Sequence, residues 1–203
     1  KIELIKLATL EDPGFDKLCK AELQISIGSP WIYKKKHIEK ASYLVHTHCT
    51  DLPRYRGGAS YSWMIMNRDR KSAVIIYKVD EGIDTGEIIY KKTFLLPKHL
   101  RTPREYTSYT FEKLERTLIT FIKNFSKNKG YYGKLTKQNE IVSTYFPRLS
   151  AEVNGWINWD WLPHEVESFI NAFSDPYQGA MTRCNSNPYI TIYIKKVEVI
   201  RKS

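Results

Sequence analysis

The sequence lacks the features that mark membrane-spanning, secreted and repetitive proteins. No apolar run approaches the roughly 20 residues that a membrane span requires, and no apolar stretch follows an N-terminal basic cluster as in a secretory signal. Only three cysteines occur, at wide spacings, which indicates reduced thiols rather than a disulfide framework or a zinc knuckle. No internal repeat is found. We therefore predict a soluble protein without a membrane partner, in the reducing environment of the cytoplasm.

The composition is that of a globular protein with an excess of positive charge. Of the 203 residues, 42% are hydrophobic and 27% are charged, which is typical of one domain, with or without a small appendage. The 32 basic and 22 acidic residues give a net charge of +10, which favours polyanionic partners such as nucleic acid, phosphorylated metabolites or acidic membrane. Much of the excess lies in short runs, so a merely solvated basic surface is the other interpretation.

Apolar patterns predict strands that alternate with helices. Alternating or β-branched runs predict strands over residues 21–27, 41–47, 73–79, 87–94 and 189–194, with further strand-like runs at 2–5 and 197–200. Apolar spacing and turn residues predict helices over residues 59–67, 103–127 and 163–173. This order indicates the α/β class: a largely parallel open sheet with flanking helices, a short C-terminal β extension, and a ligand beyond the strand ends.

Two histidines end the second predicted strand. Because side chains at i and i+2 of a strand point to the same face, His46 and His48 are expected to share one crevice at the sheet edge. A metal hydrolase would use the pair as nitrogen ligands and would need a third ligand, such as Asp84 or Cys49. In acyl transfer, an imidazole and a neighbouring donor hold an oxyanion while a carboxylate fixes the ring. Two hydrogen-bonded structural histidines are the remaining interpretation.

A second polar segment follows the third predicted strand. Residues 80–86 read Asp-Glu-Gly-Ile-Asp-Thr-Gly and combine three carboxylates with two glycines, more specific residues than a simple turn requires. Upstream, residues 46–57 read His-Thr-His-Cys-Thr-Asp-Leu-Pro-Arg-Tyr-Arg-Gly. Together the two segments resemble the folate-dependent formyltransferase family. The family pattern is Asn-x-His-x-Ser-Leu-Leu-Pro-x-x-Arg-Gly, followed after a strand by Asp-x-Gly-x-Asp-Thr-Gly.

Three later segments extend the resemblance. Residues 143–148 resemble the family's linker, residues 155–159 its Ile-x-Trp segment, and residues 175–180 its Pro-Tyr/Trp-x-Gly-Ala turn. The resemblance implies a Rossmann-like formyltransferase core over residues 1–135, and a linker, helix and small β subdomain over residues 136–203. The sequence starts without Met, and the family's first strand and helices have no match in it. We therefore expect that the beginning of a longer gene product is missing.

The resemblance implies transfer of a formyl group from 10-formyltetrahydrofolate to a primary amine. In that reaction His48 would stabilise the developing oxyanion, and Asp84 would orient this imidazole and help to remove the amine proton. His46 stands where the family pattern has Asn, and we expect it to replace that residue as a second donor to the formyl oxygen, with no metal ion. The alternatives are that His46 has turned away, that activity is lost, or that the site binds a metal ion instead.

The resemblance also implies the positions that bind the two substrates. Contacts to the folate are expected from two loops that follow strands: Gly28, Ser29, Trp31, Val79, Glu81 and Gly82. Contacts to the acceptor are expected from the loop after the second strand: Arg54, Arg56 and Gly57.

A nucleotide-linked amino sugar is the favoured acceptor. Only about 20 residues follow Ala180, too few for the C-terminal barrel expected of the methionyl-tRNA branch of the family. Aromatic residues in the C-terminal half can also stack on a nucleotide base while basic residues meet its pyrophosphate. A tRNA acceptor is the alternative, since the net charge suits a phosphate backbone. A His-x-His metallohydrolase ranks lower because the remaining histidines, His37, His99 and His164, show no ligand spacing. A basic RNA-binding module ranks lower still because it leaves the matched motifs unexplained. A homodimer is the assembly left open.

Overall fold

A computed structural model describes residues 5, 7–128 and 134–200 of the chain. The strands are β1 (Gln24–Ile27), β2 (Leu44–His48), β3 (Arg56–Gly57), β4 (Lys71–Lys78), β5 (Ile88–Leu95), β6 (Tyr145–Phe146), β7 (Ala180–Cys184) and β8 (Asn187–Ile194). The helices are α1 (Pro13–Leu18), α2 (Lys35–Ile38), α3 (Ser60–Met66), α4 (Pro103–Lys127), α5 (Ala151–Asn154) and α6 (Pro163–Ala172). The strand-like run expected at residues 2–5 lies, except for its last residue, outside the described residues.

The main sheet has the strand order β1-β2-β4-β5. Strand β4 forms where the sequence is β-branched and apolar, and its six central residues are all buried, as expected for an interior strand. Strand β2 runs parallel to β1 and antiparallel to β4. The second pairing places His46 opposite Tyr77 and His48 opposite Ile75, so that both histidines lie beside the buried central strand.

The expected α/β class is confirmed, but the pairing directions within the described sheet are mixed. Strands β1 and β2 are parallel, whereas β2 with β4 and β4 with β5 are antiparallel. A parallel connection needs a crossover of about a dozen residues or more, and the segment 79–87 between β4 and β5 is too short for one. The expectation of a largely parallel sheet therefore holds only for its first pair.

Helix α4 begins and ends where the sequence predicts. Thr102 caps its first turn by accepting a hydrogen bond from the Glu105 N–H, and the Glu105 side chain accepts one from the Thr102 N–H in return. The apolar face expected to be core is buried only in part. Leu114 is buried, but Phe111 and Ile122 are 44% and 43% exposed. Spacing of three and four identifies a helix face, but the elements packed against it decide which of its residues are covered.

A hydrophobic cluster joins α3, α4 and α6. Its buried members come from both sides of the expected division at residue 135, with Met64 and Tyr106 on one side and Ile170 and Phe173 on the other. The hairpin of β7 and β8 follows α6, and β8 contains the strand expected at residues 189–194. The strand expected at residues 197–200 is not formed. Val197 packs against the hydrophobic cluster instead.

Within the described residues, no helix combines the length and the apolar character that crossing a membrane requires.

Candidate active site

The end of β2 carries the two histidines predicted to act together. His46 and His48 are two residues apart in a strand, so their side chains lie on the same face. The loop after β2 turns back under them through a left-handed residue, Tyr55, whose φ is 61°. The Tyr55 carbonyl accepts hydrogen bonds from His48 Nε2 at 3.2 Å and from the Thr50 hydroxyl at 3.3 Å. The loop therefore fixes the orientation of one imidazole by a backbone contact.

The bond to the Tyr55 carbonyl also fixes which nitrogen of His48 carries a proton. A carbonyl oxygen can only accept, so Nε2 must be the donor. The other nitrogen, Nδ1, lies 3.7 Å from Asp84 Oδ1, and both side chains are about 10% exposed. When His48 is protonated, its positive charge therefore faces the Asp84 carboxylate across a short, nearly buried gap.

Asp84 is held as an ionised carboxylate by neutral donors. The Tyr77 hydroxyl donates to Oδ1 at 2.7 Å, and the Gly57 N–H donates to Oδ2 at 2.8 Å. Burial works to raise the pKa of Asp84, but the charge of His48 and these two hydrogen bonds outweigh it and hold the pKa below its usual range. The Tyr77 pKa is raised because the hydroxyl is buried and faces this carboxylate. Tyr77 therefore stays a donor at neutral pH.

Gly57 occupies a position that other residues cannot fill without strain. Its φ is 97°, which side chains rarely tolerate, and a Cβ at this position would overlap the carbonyl oxygen of Phe146. The close approach arises because Arg56–Gly57 forms β3 and pairs with β6. Pairing with β6 thus fixes the position of the Gly57 N–H that binds Asp84. Gly57, which was predicted from the motif, is in this way connected to a strand almost 90 positions later.

His46 is neutral at pH 7. Burial, and next the charge of His48, lower its pKa to about 4, against a smaller opposing effect of Asp84. Its Nδ1 lies 2.9 Å from the Ser26 hydroxyl, which in turn accepts a hydrogen bond from Tyr33 at 3.1 Å. Its ring also packs against the Tyr77 ring. His46 has therefore not turned away from the site.

One potential ligand atom from each of His46, His48 and Asp84 lies within 4.8 Å of the other two. Two imidazole nitrogens and a carboxylate oxygen are a donor set typical of zinc and related ions. The sequence analysis predicted no metal ion here, but the three residues have the donor atoms of a metal site.

A cavity of about 820 Å³ opens over this cluster. It is lined by nine of the residues predicted from the sequence: Gly28, Ser29, Trp31, His46, His48, Gly57, Val79, Gly82 and Asp84. The cavity brings the predicted folate-binding loops and the predicted catalytic residues to one place.

Three predicted contact residues do not line this cavity. Glu81 is exposed and borders a separate groove beside Lys35 and Lys78. Arg54 pairs with Asp69 at 2.6 Å. Both were predicted to contact a substrate, as their neighbours were, because a motif does not show which way each side chain points.

Arg56 is buried and has a structural role, and it does not line the cavity. Its guanidinium binds both carboxylate oxygens of Glu140, at 2.7 and 2.8 Å, and the side-chain oxygen of Gln138. Gln138 also donates to the carbonyls of Asp84 and Gly86. Arg56 therefore acts on the site at a distance, by tying the loop of Asp84 to the segment after α4.

Sequence reasoning missed several residues of the site. Tyr77 contacts Asp84 and Ser26 contacts His46. Both lie in strands, where a polar side chain is expected at alternate positions and does not indicate a site. The pairing of β2 with β4 was the only signal that could have found Tyr77. Later parts of the chain add five further wall residues: Phe111, Tyr145, Arg148, Leu149 and Tyr177.

The model of the family described as formyl transferase matches residues 20–121 of this sequence. The chain belongs to the formyl transferase family. The match covers β1 to β5, the catalytic candidates and most of α4.

The chain is similar to members of more than one branch of the family. A methionyl-tRNA formyltransferase from Agathobacter rectalis is 28% identical over 174 residues, covering 83% of this chain and 53% of that protein. An N-formyltransferase from Helicobacter canadensis, solved with folinic acid and dTDP-3-aminofucose, has a TM-score of 0.64 and 26% identity, covering 78% of this chain and 58% of that one. A 4-N formyltransferase from Francisella tularensis shares the fold at a TM-score of 0.72 and 18% identity, covering 94% and 77%. The chain spans about half the length of the curated relatives it matches.

Proposed function

We propose that the protein transfers a formyl group from 10-formyltetrahydrofolate to the primary amine of a nucleotide-linked amino sugar. The observation that carries the proposal is the placement of His48 Nδ1 3.7 Å from an ionised Asp84 at the wall of a large cavity. Membership of the formyl transferase family supports the reaction class, and the folinic acid bound to the Helicobacter canadensis relative supports the donor. With three free thiols, the cytoplasm remains the proposed compartment.

The cavity has walls suited to a folate. Residues 79–84, the proposed folate loop, contribute Val79, Asp80, Gly82 and Ile83 to one side. Trp31 lies on the cavity wall and packs partly against a small core cluster, which holds its ring in place. An anchored aromatic face next to a backbone loop suits a flat bicyclic ring. When bound, 10-formyltetrahydrofolate supplies the formyl carbon.

His48 stabilises the negative charge that develops on the formyl oxygen. The Tyr55 carbonyl orients the ring before the reaction starts, and Asp84 stabilises the protonated imidazole electrostatically. Because His46 is neutral, it contributes a single N–H and adds no competing positive charge. We assign it the second donor role that the family pattern gives to Asn.

Asp84 accepts the proton that the attacking amine loses. Its lowered pKa keeps it in the basic form at neutral pH, and the donors Tyr77 and Gly57 hold both oxygens in place. Proton removal and charge stabilisation are thus assigned to adjacent side chains of one cluster. The proposed catalytic residues are His48, Asp84 and His46.

The charge around the cavity favours a small phosphorylated acceptor. Of the lysines and arginines in the described part of the chain, only Arg148 lines the cavity, and several aromatic side chains accompany it. One guanidinium suits a nucleotide diphosphate, whereas a tRNA backbone requires many cations. The dTDP-3-aminofucose bound to the Helicobacter canadensis relative supports the same acceptor class.

A tRNA acceptor is the second candidate. It is favoured by the likeness to methionyl-tRNA formyltransferases and by the net charge of +10. In that case the basic residues outside the cavity would bind the phosphate backbone, and the transfer rate would fall steeply with salt.

Mass spectrometry of acceptors incubated with 10-formyltetrahydrofolate tests both candidates. The panel contains dTDP- and UDP-linked amino sugars and methionyl-tRNA, each with the wild type and with Asp84→Asn. We expect a formylated amino sugar with the wild type only. Formylated tRNA would replace the acceptor but keep the reaction, and no formylated product from any acceptor would overturn the proposed reaction class.

A further inference from the structure

The arrangement of His48 and Asp84 leaves an electrostatic gap between them. With Nε2 donating to the Tyr55 carbonyl, neutral His48 keeps a lone pair on Nδ1, which lies 3.7 Å from Asp84 Oδ1. A lone pair and a carboxylate oxygen repel each other, so a positive species between them is favourable. A proton is one such species and a metal ion is another.

Each candidate ligand is oriented by a hydrogen bond from outside the cluster. His46 Nδ1 is bound to the Ser26 hydroxyl, which leaves Nε2 as its available ligand atom. Asp84 Oδ2 is held by the Gly57 N–H, and Oδ1, which faces His48, accepts from the Tyr77 hydroxyl and keeps a second lone pair for a metal ion. Such outer hydrogen bonds to the second atom of a ligand are the usual support of histidine and carboxylate metal ligands.

The distances suit a small divalent ion after modest side-chain movement. In a tetrahedral zinc site with bonds of about 2.1 Å, ligand atoms lie about 3.4 Å apart. The separation of 3.7 Å between His48 Nδ1 and Asp84 Oδ1 is close to this value, and one potential ligand atom of His46 lies within 4.8 Å of one from each of the other two residues. The cavity leaves the fourth position open to water. Three protein ligands and one open position are typical of zinc sites that exchange their metal or bind a ligand.

We propose that His46, His48 and Asp84 form a zinc-binding site, and that bound zinc inhibits formyl transfer by occupying the catalytic groups. The inhibitory half of the proposal rests on the proposed function; the binding half does not. His46 supplies the third ligand. Asn at this position would leave only one imidazole and one carboxylate to bind zinc. Zinc and formyl transfer thus compete for the same three side chains.

The remaining histidines offer no comparable site. His37 is also buried, but its Nδ1 accepts from the Lys34 N–H and its Nε2 contacts Glu11, so both nitrogens are already engaged. His164 is exposed at the start of α6. Among the described residues, a group of three candidate ligands is found at His46, His48 and Asp84 alone. His164 therefore provides a matched control for a histidine substitution.

Zinc titration of chelator-stripped full-length protein, in competition with a chromogenic chelator, tests the binding half. We expect one equivalent to bind the wild type and His164→Asn, and His46→Asn to bind at least about 100-fold more weakly. Equal affinity of His46→Asn and the wild type, or binding far below one equivalent by the wild type, would overturn the site. Circular dichroism verifies that the variants are folded.

Cobalt substitution gives a test that needs no variant. A Co²⁺ ion in a tetrahedral nitrogen and oxygen site absorbs visible light much more strongly than hexahydrated Co²⁺ does. We expect this absorption from the wild type at one equivalent of Co²⁺ and its loss on adding one equivalent of Zn²⁺. A spectrum that stays that of hexahydrated Co²⁺ would contradict the site even if every variant failed to fold.

Transfer assays with and without zinc test the inhibitory half. One equivalent of zinc should stop formyl transfer by the wild type and by His164→Asn, and EDTA should restore it. Unchanged transfer by a wild type shown to hold zinc would refute inhibition. Absence of transfer in EDTA would instead refute the proposed function, and the titration and cobalt spectra would still decide the metal site.

Discussion

Asp51 and Asp84 are two buried carboxylates on segments that follow neighbouring strands, and their surroundings differ. Asp51 is 5% exposed and is bound by two ammonium groups, from Lys71 at 2.7 Å and Lys91 at 2.6 Å. Asp84 is 9% exposed and is held by the neutral donors Tyr77 and Gly57. Of the two, only Asp84 lines the cavity, where it lies close to the imidazoles of His48 and His46.

Burial alone therefore does not mark a functional carboxylate. The charge of Asp51 is neutralised within the protein, whereas Asp84 keeps its charge next to an open cavity and a group that can gain a proton. We interpret Asp51 as a structural ion cluster and Asp84 as a reactive group.

Replacing Asp84 should have the largest effect. Asp84→Asn keeps the shape of the side chain but removes the base and the charge beside His48, so kcat/KM for formyl transfer should fall by about 100-fold or more. Steady-state kinetics measure this loss. Asp160→Asn, an exposed change away from the cavity, is the control and should stay within about threefold of the wild type. A near wild-type rate for Asp84→Asn would remove the distinction between the two carboxylates.

Replacing Asp51 should instead affect stability. Asp51→Asn leaves two lysines without their counter-charge, and we expect the free energy of unfolding to fall by about 2 kcal/mol, since both lysines retain contact with water. Urea unfolding measures the loss. Transfer by the folded fraction should change less than threefold, and a 100-fold loss of activity would place Asp51 in the reaction.

The same ion cluster predicts a pH dependence of stability. Burial works to raise the pKa of Asp51, but hydrogen bonds and charges from Lys71 and Lys91 outweigh it and lower the pKa. A lowered native pKa stabilises the fold above the ordinary Asp value and loses that contribution as pH falls below it. The stability difference between the wild type and Asp51→Asn should therefore shrink as urea titrations move from pH 6 to pH 3. A constant difference would show that the charge is not its source.

Replacing either of two arginines near the proposed acceptor site should have the smallest effects. Arg148 lines the cavity, whereas Arg54 pairs with Asp69 outside it. Arg148→Gln should raise KM for a nucleotide-linked amino sugar by about tenfold. Arg54→Gln should leave KM unchanged and cost less than about 1 kcal/mol of stability, because its side chain is 43% exposed. The reverse pattern would restore the sequence-based prediction that Arg54 binds the acceptor.

Local patterns in the sequence predicted some elements well, because the forces behind them are local. The β-branched run of β4, the capped helix α4 and the shared face of His46 and His48 follow from side-chain volume, capping and strand periodicity. The resemblance to the family added the catalytic role of Asp84 beside His48, whereas the residues alone offered Asp84 only as one of two possible third metal ligands.

Long-range contacts explain what could not be predicted. The direction of β4 places Tyr77 beside His46, and a short connection sets the direction of β5. The burial of Arg56 depends on Glu140 and Gln138, more than 80 positions later. A motif records residue types at fixed spacings, whereas these partners are chosen by packing between distant segments.

We expect Asp84, unlike Asp51, to take part in formyl transfer, and a single-turnover experiment distinguishes the two carboxylates. The wild type, Asp51→Asn and Asp84→Asn, at equal concentrations of folded protein and in the presence of EDTA, are mixed with 10-formyltetrahydrofolate and the acceptor panel. Mass spectrometry then follows the formylated amine over time. We predict similar rates for the wild type and Asp51→Asn, and a rate about 100-fold lower or more for Asp84→Asn. Equal loss in both variants, or no loss in Asp84→Asn, would contradict the account.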